Sequence, residues 1–236
     1  MKALIWDLDD TLYDLMIPFR DACEGVIGIR LEDSEAAYKQ FRFRGDEVFE
    51  ASQRGEMSLY DSRILRFTRA MADCGIEAGG EQADRFQKAY EAAQGQIRLS
   101  ERMKGLLAHC KAADVPMGVI TNGPESHQKM KIHALGLESW IPEENVVISG
   151  AVGVMKPETG IFRIAETVMG LGPEDCIMVG DNYKSDICGA MEAGWQGIWF
   201  NRRKKPMPEG GSDALVIVET EEALEAAIRN CLQRSE

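Results

Sequence analysis

The stretch DLDDT at residues 7 to 11 sets three carboxylates, Asp7, Asp9 and Asp10, directly after the apolar run Ala3 to Trp6. Ionised carboxylates repel one another and resist leaving water, so gathering them at the end of a strand-like run contributes nothing to folding by itself. A positive group is expected beside them. On an extended strand residues two apart share a face, which aims Asp7 and Asp9 into one pocket and turns Leu8 into the protein. Asp10 then faces away and can bind nearby backbone groups, while Thr11 can cap the turn that follows. A calcium-binding loop also opens with spaced aspartates. Counted from Asp7, however, it would put Leu12 at its glycine and Pro18 at its bidentate glutamate, so that reading fails.

Three further segments carry polar groups able to act with those carboxylates. ITNG supplies the Thr121 hydroxyl, with Asn122 and Gly123 able to present backbone N–H groups to an anion. MKPETG places Lys156 just before a helix that opens after Pro157. VGDNYKSD supplies Asp181 and Asp186. Carboxylates for a hard cation, a lysine, a hydroxyl and anion-binding amides together make up what metal-assisted phosphoryl transfer requires.

The elements that must position these groups read as an alternation. Strand-type runs at Ala3 to Leu8, Met117 to Thr121, Val146 to Ser149, Cys176 to Val179, Gly197 to Phe200 and Leu215 to Val218 are separated by helical patterns. That predicts an α/β fold with a doubly wound parallel sheet, in which ligands sit beyond the C-terminal strand ends. A helix is predicted over Thr159 to Met169, between Pro157 and Gly170, and another at the end of the chain with Ala223, Leu224, Ala227, Ile228 and Cys231 on its apolar face. Residues 16 to 96 contain no strand-like run and read as successive amphipathic helices; in one of them Ser58 and Asp61 form a capping box. The expected organisation is a discontinuous α/β catalytic core, 1–15 and 97–236, interrupted by a helical domain, 16–96.

Composition narrows the partners. A net charge of −12 argues against a nucleic-acid backbone or an anionic membrane, so an anionic substrate needs local positive potential. Asp7 interrupts the first apolar run too early for a signal peptide, which points to the cytoplasm. Six cysteines without metal-type spacing read as small buried hydrophobes in a reducing compartment, and the three histidines share no metal spacing. The RRKK run, Arg202 to Lys205, reads as a short solvated loop. Monomer and dimer both remain open.

DLDDT, ITNG, the lysine of VMKPE and GDNYKSDICGAMEAG, in that order, resemble the four motifs of the haloacid dehalogenase superfamily, on its phosphatase side. The resemblance spans essentially the whole chain. It implies a Rossmann-like core with a helical cap of the C1 type, and among members the wording is nearest to nucleotidase-like, flavin-mononucleotide and acylneuraminate-phosphate phosphatases. Asp7 would then be the nucleophile that carries an aspartyl-phosphate, and Asp9 the acid and base. Mg²⁺ would be held by Asp7, Asp181 and the backbone carbonyl of Asp9, with Asp186 orienting that set and Thr11 supporting the nucleophile loop. Thr121, Asn122 and Lys156 would hold the phosphate. The expected substrate is a small soluble phosphomonoester: a nucleotide, FMN or a sugar phosphate. A phosphomutase and a non-catalytic phosphometabolite-binding protein are the alternatives. Dehalogenation is disfavoured, because Asp9 supplies a proton that a halide does not need.

Overall fold

The computed structural model describes residues 2–26, 28, 30–31, 33–211 and 216–233. In chain order the regular elements are β1 (Ala3–Trp6), α1 (Met16–Asp21), α2 (Ser34–Gln53), α3 (Leu59–Asp73), α4 (Gly80–Gln94), α5 (Glu101–Ala112), β2 (Met117–Thr121), α6 (Glu125–Leu135), β3 (Val146–Ile148) and α7 (Ser149–Val152). They continue with α8 (Thr159–Met169), β4 (Cys176–Gly180), α9 (Gly189–Glu192), β5 (Gln196–Phe200), β6 (Val216–Val218) and α10 (Glu221–Gln233). Two compact units result, one made of Met1–Asp14 with Arg98–Glu236 and the other of Leu15–Ile97.

The first unit is built on six parallel strands in the order β3-β2-β1-β4-β5-β6. Every residue of β1, β2 and β4 is buried, as befits strands covered on both faces, and this is why they read as unbroken apolar runs rather than alternating ones. The chain first builds outward from β1 through β2 to β3, then crosses back to start β4 on the other side. Loops diverge at that reversal and open a crevice at the strand ends. The register sets Trp6 opposite both Val119 and Val179, so Asp7, Thr121 and Asp181 leave the sheet side by side.

Helix α8 has the predicted bounds, because Gly170 takes up a left-handed conformation (φ 65°) that ends it. Its buried residues Ile161, Phe162 and Ala165 pack with Ala3, Ile5, Ile120 and Met178 in one core cluster. At the chain's end Leu224 and Ile228 supply the buried face of α10.

Two strand expectations need correction. β1 stops at Trp6 rather than Leu8: the Leu12 N–H closes a turn onto the Leu8 carbonyl at 3.1 Å, and Asp10 bends the backbone with a φ of 64°. Strand alternation therefore never reaches Asp9, and the orientation of Asp9 has to come from side-chain partners. The third strand stops at Ile148, with Ser149 opening α7. Leu215, the expected start of the last strand, lies outside the described residues.

In the second unit Ser58 accepts the Asp61 N–H at 3.0 Å and caps α3, a contact typically worth about 1 kcal/mol. Phe19, Tyr38, Phe41, Phe67, Phe86 and Tyr90 form this unit's own aromatic core, with Phe67 and Phe86 stacked at 4.2 Å. The Arg66 guanidinium lies over the Phe41 ring, 4.1 Å from its centroid. The basic residues Arg44 and Arg54 are engaged by Asp73 and Glu56.

Candidate active site

Asp7 follows β1 directly, and its N–H still donates to the Val179 carbonyl at 2.8 Å, which fixes its backbone to β4. Its buried carboxylate accepts from Lys156 Nζ at 2.6 Å and from Thr11 Oγ1 at 3.3 Å. Burial pushes the Asp7 carboxyl up to about 8; Lys156 opposes the rise, and Asp186 and Asp181 add to it. Lys156 is equally enclosed and also contacts Asp186 Oδ1 at 2.7 Å and the Ile120 carbonyl at 2.8 Å, which occupies all three ammonium protons. Burial alone would lower its pKa, but Asp186 and Asp7 outweigh that and hold it above its ordinary value. The lysine is therefore a fixed positive charge. One such charge cannot offset three buried carboxylates.

Those three, Asp7, Asp181 and Asp186, each present an oxygen, and the oxygens all lie within 4.8 Å of one another. Buried hard oxygen donors gathered this closely suit a divalent cation, which would pull Asp7 back to its ionised form. Asp186 is the most engaged of the set: besides Lys156, Ser185 Oγ donates to it at 3.2 Å and the Asn182 N–H at 2.9 Å. Most of its acceptor capacity is spent on holding its neighbours. Gly180 makes this possible, since a Cβ there would lie 2.3 Å from Asp186 Oδ2 and 2.5 Å from its Cβ. Gly180→Ala is expected to force Asp186 aside and cost about 1–3 kcal/mol, measurable by urea unfolding in chelator.

On the other side of β1, Thr121 ends β2 and its hydroxyl accepts from Gln128 Nε2. Asn122 clasps Lys156 through two backbone contacts, donating from Nδ2 to its carbonyl and accepting its N–H at Oδ1, both at 2.9 Å. The Gly123 N–H, expected to be available to an anion, is taken by Ser149 Oγ at 3.0 Å; β3 stops one residue short of the expected Ser149, which opens α7 and brings that hydroxyl in.

Asp9 does not join the carboxylate cluster. Its two oxygens sit 2.8 and 2.7 Å from Lys131 Nζ, Tyr13 donates its hydroxyl to it, and Gln128 Nε2 lies at 3.4 Å. Lys131 and Gln128 are buried, three positions apart on one face of α6. Sequence reasoning missed both. The available signal was their place: the first turns of a helix that follows a strand-end motif point toward the same crevice as the motif.

The RRKK segment also departs from its expected role. Arg203 is buried and paired with Asp10 at 2.8 Å and with Asp14, and Lys205 Nζ reaches Asp181 Oδ2 at 3.0 Å. Arg202 pairs with Glu221 at 3.2 Å. Strand β5 ends beside β4, so the loop after it is drawn to the aspartates instead of being left in water. Asp10, expected to serve nearby backbone, is buried as the partner of Arg203.

Comparison with known proteins identifies the family and the fold. A sequence model of haloacid dehalogenase-like hydrolases matches residues 1–194. The chain is 41% identical over 209 residues to the glyceraldehyde 3-phosphate phosphatase of Pyrococcus furiosus, covering 86% of this chain and 82% of that protein. It is 34% identical over 241 aligned positions to the phosphoserine phosphatase of Thermus thermophilus, covering 92% and 95%. Among solved structures, the hydrolase YfnB of Bacillus subtilis, bound to magnesium, superposes with a TM-score of 0.73 at 21% identity, covering 96% of this chain and 98% of that one. At that identity the likeness is one of fold.

Proposed function

The chain belongs to the haloacid dehalogenase-like hydrolase family, and from that membership we propose that it is a Mg²⁺-dependent phosphatase that hydrolyses a small phosphomonoester through a phosphorylated Asp7. The observation that carries the reading is the Asp7 carboxylate, held by Lys156 beside Asp181 and Asp186 at the point where the strand order reverses. We assign catalysis to the α/β unit and the choice of leaving group to the helical unit.

An Asp7 oxygen attacks phosphorus and the bond from phosphorus to the alcohol oxygen breaks. Asp9 delivers a proton to the departing oxygen. Asp9 then takes a proton from water, whose oxygen attacks the same phosphorus and frees phosphate and the Asp7 carboxylate. Thr121 and the Asn122 N–H hold the phosphoryl oxygens, and Lys156 offsets the charge that gathers between nucleophile and phosphate. Asp7, Asp181 and the Asp9 carbonyl would hold Mg²⁺, which would neutralise phosphoryl charge, and Asp186 would orient the set. Six free thiols fit the reducing cytoplasm, where we place the protein.

The relatives act on phosphoserine and glyceraldehyde 3-phosphate, so both belong with nucleotides, FMN and sugar phosphates in a substrate panel. Phosphate release measured with Mg²⁺ and with excess chelator is expected to be metal-dependent and concentrated on a few of these compounds. Release that persists in chelator, or no release from any compound, would reject the proposal. A narrower test concerns Asp9→Asn: turnover is expected to fall about 10²- to 10⁴-fold while calorimetric Mg²⁺ affinity stays within about twofold. A large loss of affinity would mean that the Asp9 side chain itself binds the ion.

A further inference from the structure

We propose that Lys205 is a tethered internal cation: it neutralises Asp181 in the metal-free protein, competes with the divalent ion for that carboxylate, and so sets the ion affinity of the acidic cluster. The inference rests on the metal reading given above and concerns how tightly that ion is held.

The contact is built by the loop after β5. Asn201 clasps the Lys205 backbone in both directions, donating from Nδ2 to its carbonyl and accepting its N–H at Oδ1, each at 2.8 Å. Arg203 pins the same loop through its buried pairing with Asp10. Between them Lys204 has a φ of 51° and sends its side chain to Glu219, 3.8 Å away, so its two neighbours are the ones that reach the aspartates. The register pairs Trp199 with Gly180, and Trp199 Nε1 donates to the Asp181 carbonyl at 2.9 Å. One strand end thus holds the Asp181 backbone and delivers an ammonium to its carboxylate.

Lys205 differs from Lys156 in what it costs to move. Lys156 is enclosed and fully engaged, so it could leave only by stranding buried charge. The Lys205 side chain is 38% exposed, against 5% for Asp181, so its ammonium can swing into water while the carboxylate remains for the ion. In the metal-free protein it relieves the repulsion among Asp7, Asp181 and Asp186. When a divalent ion arrives, a retained ammonium repels it, and a displaced one subtracts its own lost contact from the binding free energy. Both routes weaken binding. An ion held less tightly exchanges more readily, and the cluster stays folded without it.

The test is calorimetric titration of Mg²⁺ into wild type, Lys205→Met and Lys205→Arg, with thermal unfolding of each in Mg²⁺ and in chelator. Methionine keeps the aliphatic stem, and the loop's anchors use the Lys205 backbone and Arg203, so the variant retains the fold. Lys205→Met is expected to bind Mg²⁺ roughly 3- to 30-fold more tightly and to melt lower in chelator, widening the gap between the two conditions. Lys205→Arg should stay close to wild type. Unchanged affinity in Lys205→Met overturns the inference. So does weaker binding, by about 10- to 100-fold, which would instead mark Lys205 as orienting Asp181 for the ion. If neither wild type nor Lys205→Met responds to Mg²⁺, the metal reading falls and this inference with it, whereas a responsive wild type with an indifferent variant removes the inference alone.

Discussion

Asp7→Asn is expected to lower turnover by about 10⁴-fold or more while the protein stays folded and, without metal, becomes no less stable than wild type. The activity loss follows from replacing the attacking oxyanion by a neutral amide, which has no charge to displace the leaving group and cannot carry the phosphoryl group. The stability expectation follows from the carboxyl's environment. Its pKa rises from 3.8 in the free side chain to about 8 in the fold, chiefly by burial. A carboxyl shifted upward takes up a proton when the chain folds at any pH between those values. Its contribution is fully favourable below about 4 and is lost as the pH climbs through the window to about 8. Asparagine cannot ionise, so the advantage of the variant in chelator should grow with pH across that range. Lys156 keeps two acceptors in the variant, Asp186 and the Ile120 carbonyl. Phosphate release, mass-spectrometric trapping of the phosphoenzyme and urea unfolding at several pH values check each part. Activity within tenfold of wild type would reject Asp7 as the nucleophile.

Lys156→Met is expected to damage both stability and activity. Removing this ammonium leaves Asp7 and Asp186 buried without their shared cation, and breaking a buried pair in this way typically costs about 3–5 kcal/mol. Mg²⁺ should restore part of that stability, because it supplies positive charge to the same carboxylates. It should not restore turnover, since Lys156 also balances the charge between nucleophile and phosphate. Lys156→Arg should rescue little: a planar guanidinium cannot reach three acceptors arranged at 2.6 to 2.8 Å around one nitrogen. Urea unfolding with and without Mg²⁺, alongside phosphate release, measures these effects. A variant with wild-type stability in chelator would show that the carboxylates were never dependent on this lysine.

Much of the site could be read from the chain because its chemistry lies in short polar segments that end apolar runs. DLDDT, ITNG, the lysine before Pro157 and GDNYKSD each had to be polar where burial favoured the opposite, and that conflict is visible without coordinates. Helix α8 was equally legible, because its stop is a local signal. Less legible was the path just after β1. The turn at Asp10 has tertiary partners, Arg203 on Asp10 and Lys131 on Asp9, and neither is near in sequence.

The sequence by itself determined a parallel α/β sheet, a helical segment set into it after the first strand, and the residue types needed for phosphoryl transfer. These follow from local pattern, since apolar runs of strand length, helical spacing and strand-end polarity all act over a few residues. Only the tertiary structure decided which cation meets which carboxylate. Lys131 is 122 positions from Asp9, Lys156 is 149 from Asp7, and Arg203 is 193 from Asp10. Those pairs exist because the strand order sets β1 between β2 and β4, and no local rule specifies that order uniquely. The run Arg203, Lys204 and Lys205 makes the same point on a smaller scale. Three consecutive cations look alike in the chain, yet one is buried on Asp10, one turns to Glu219 and one reaches Asp181. Charge is written in the sequence, but its partner is set by backbone direction and by the neighbouring strand.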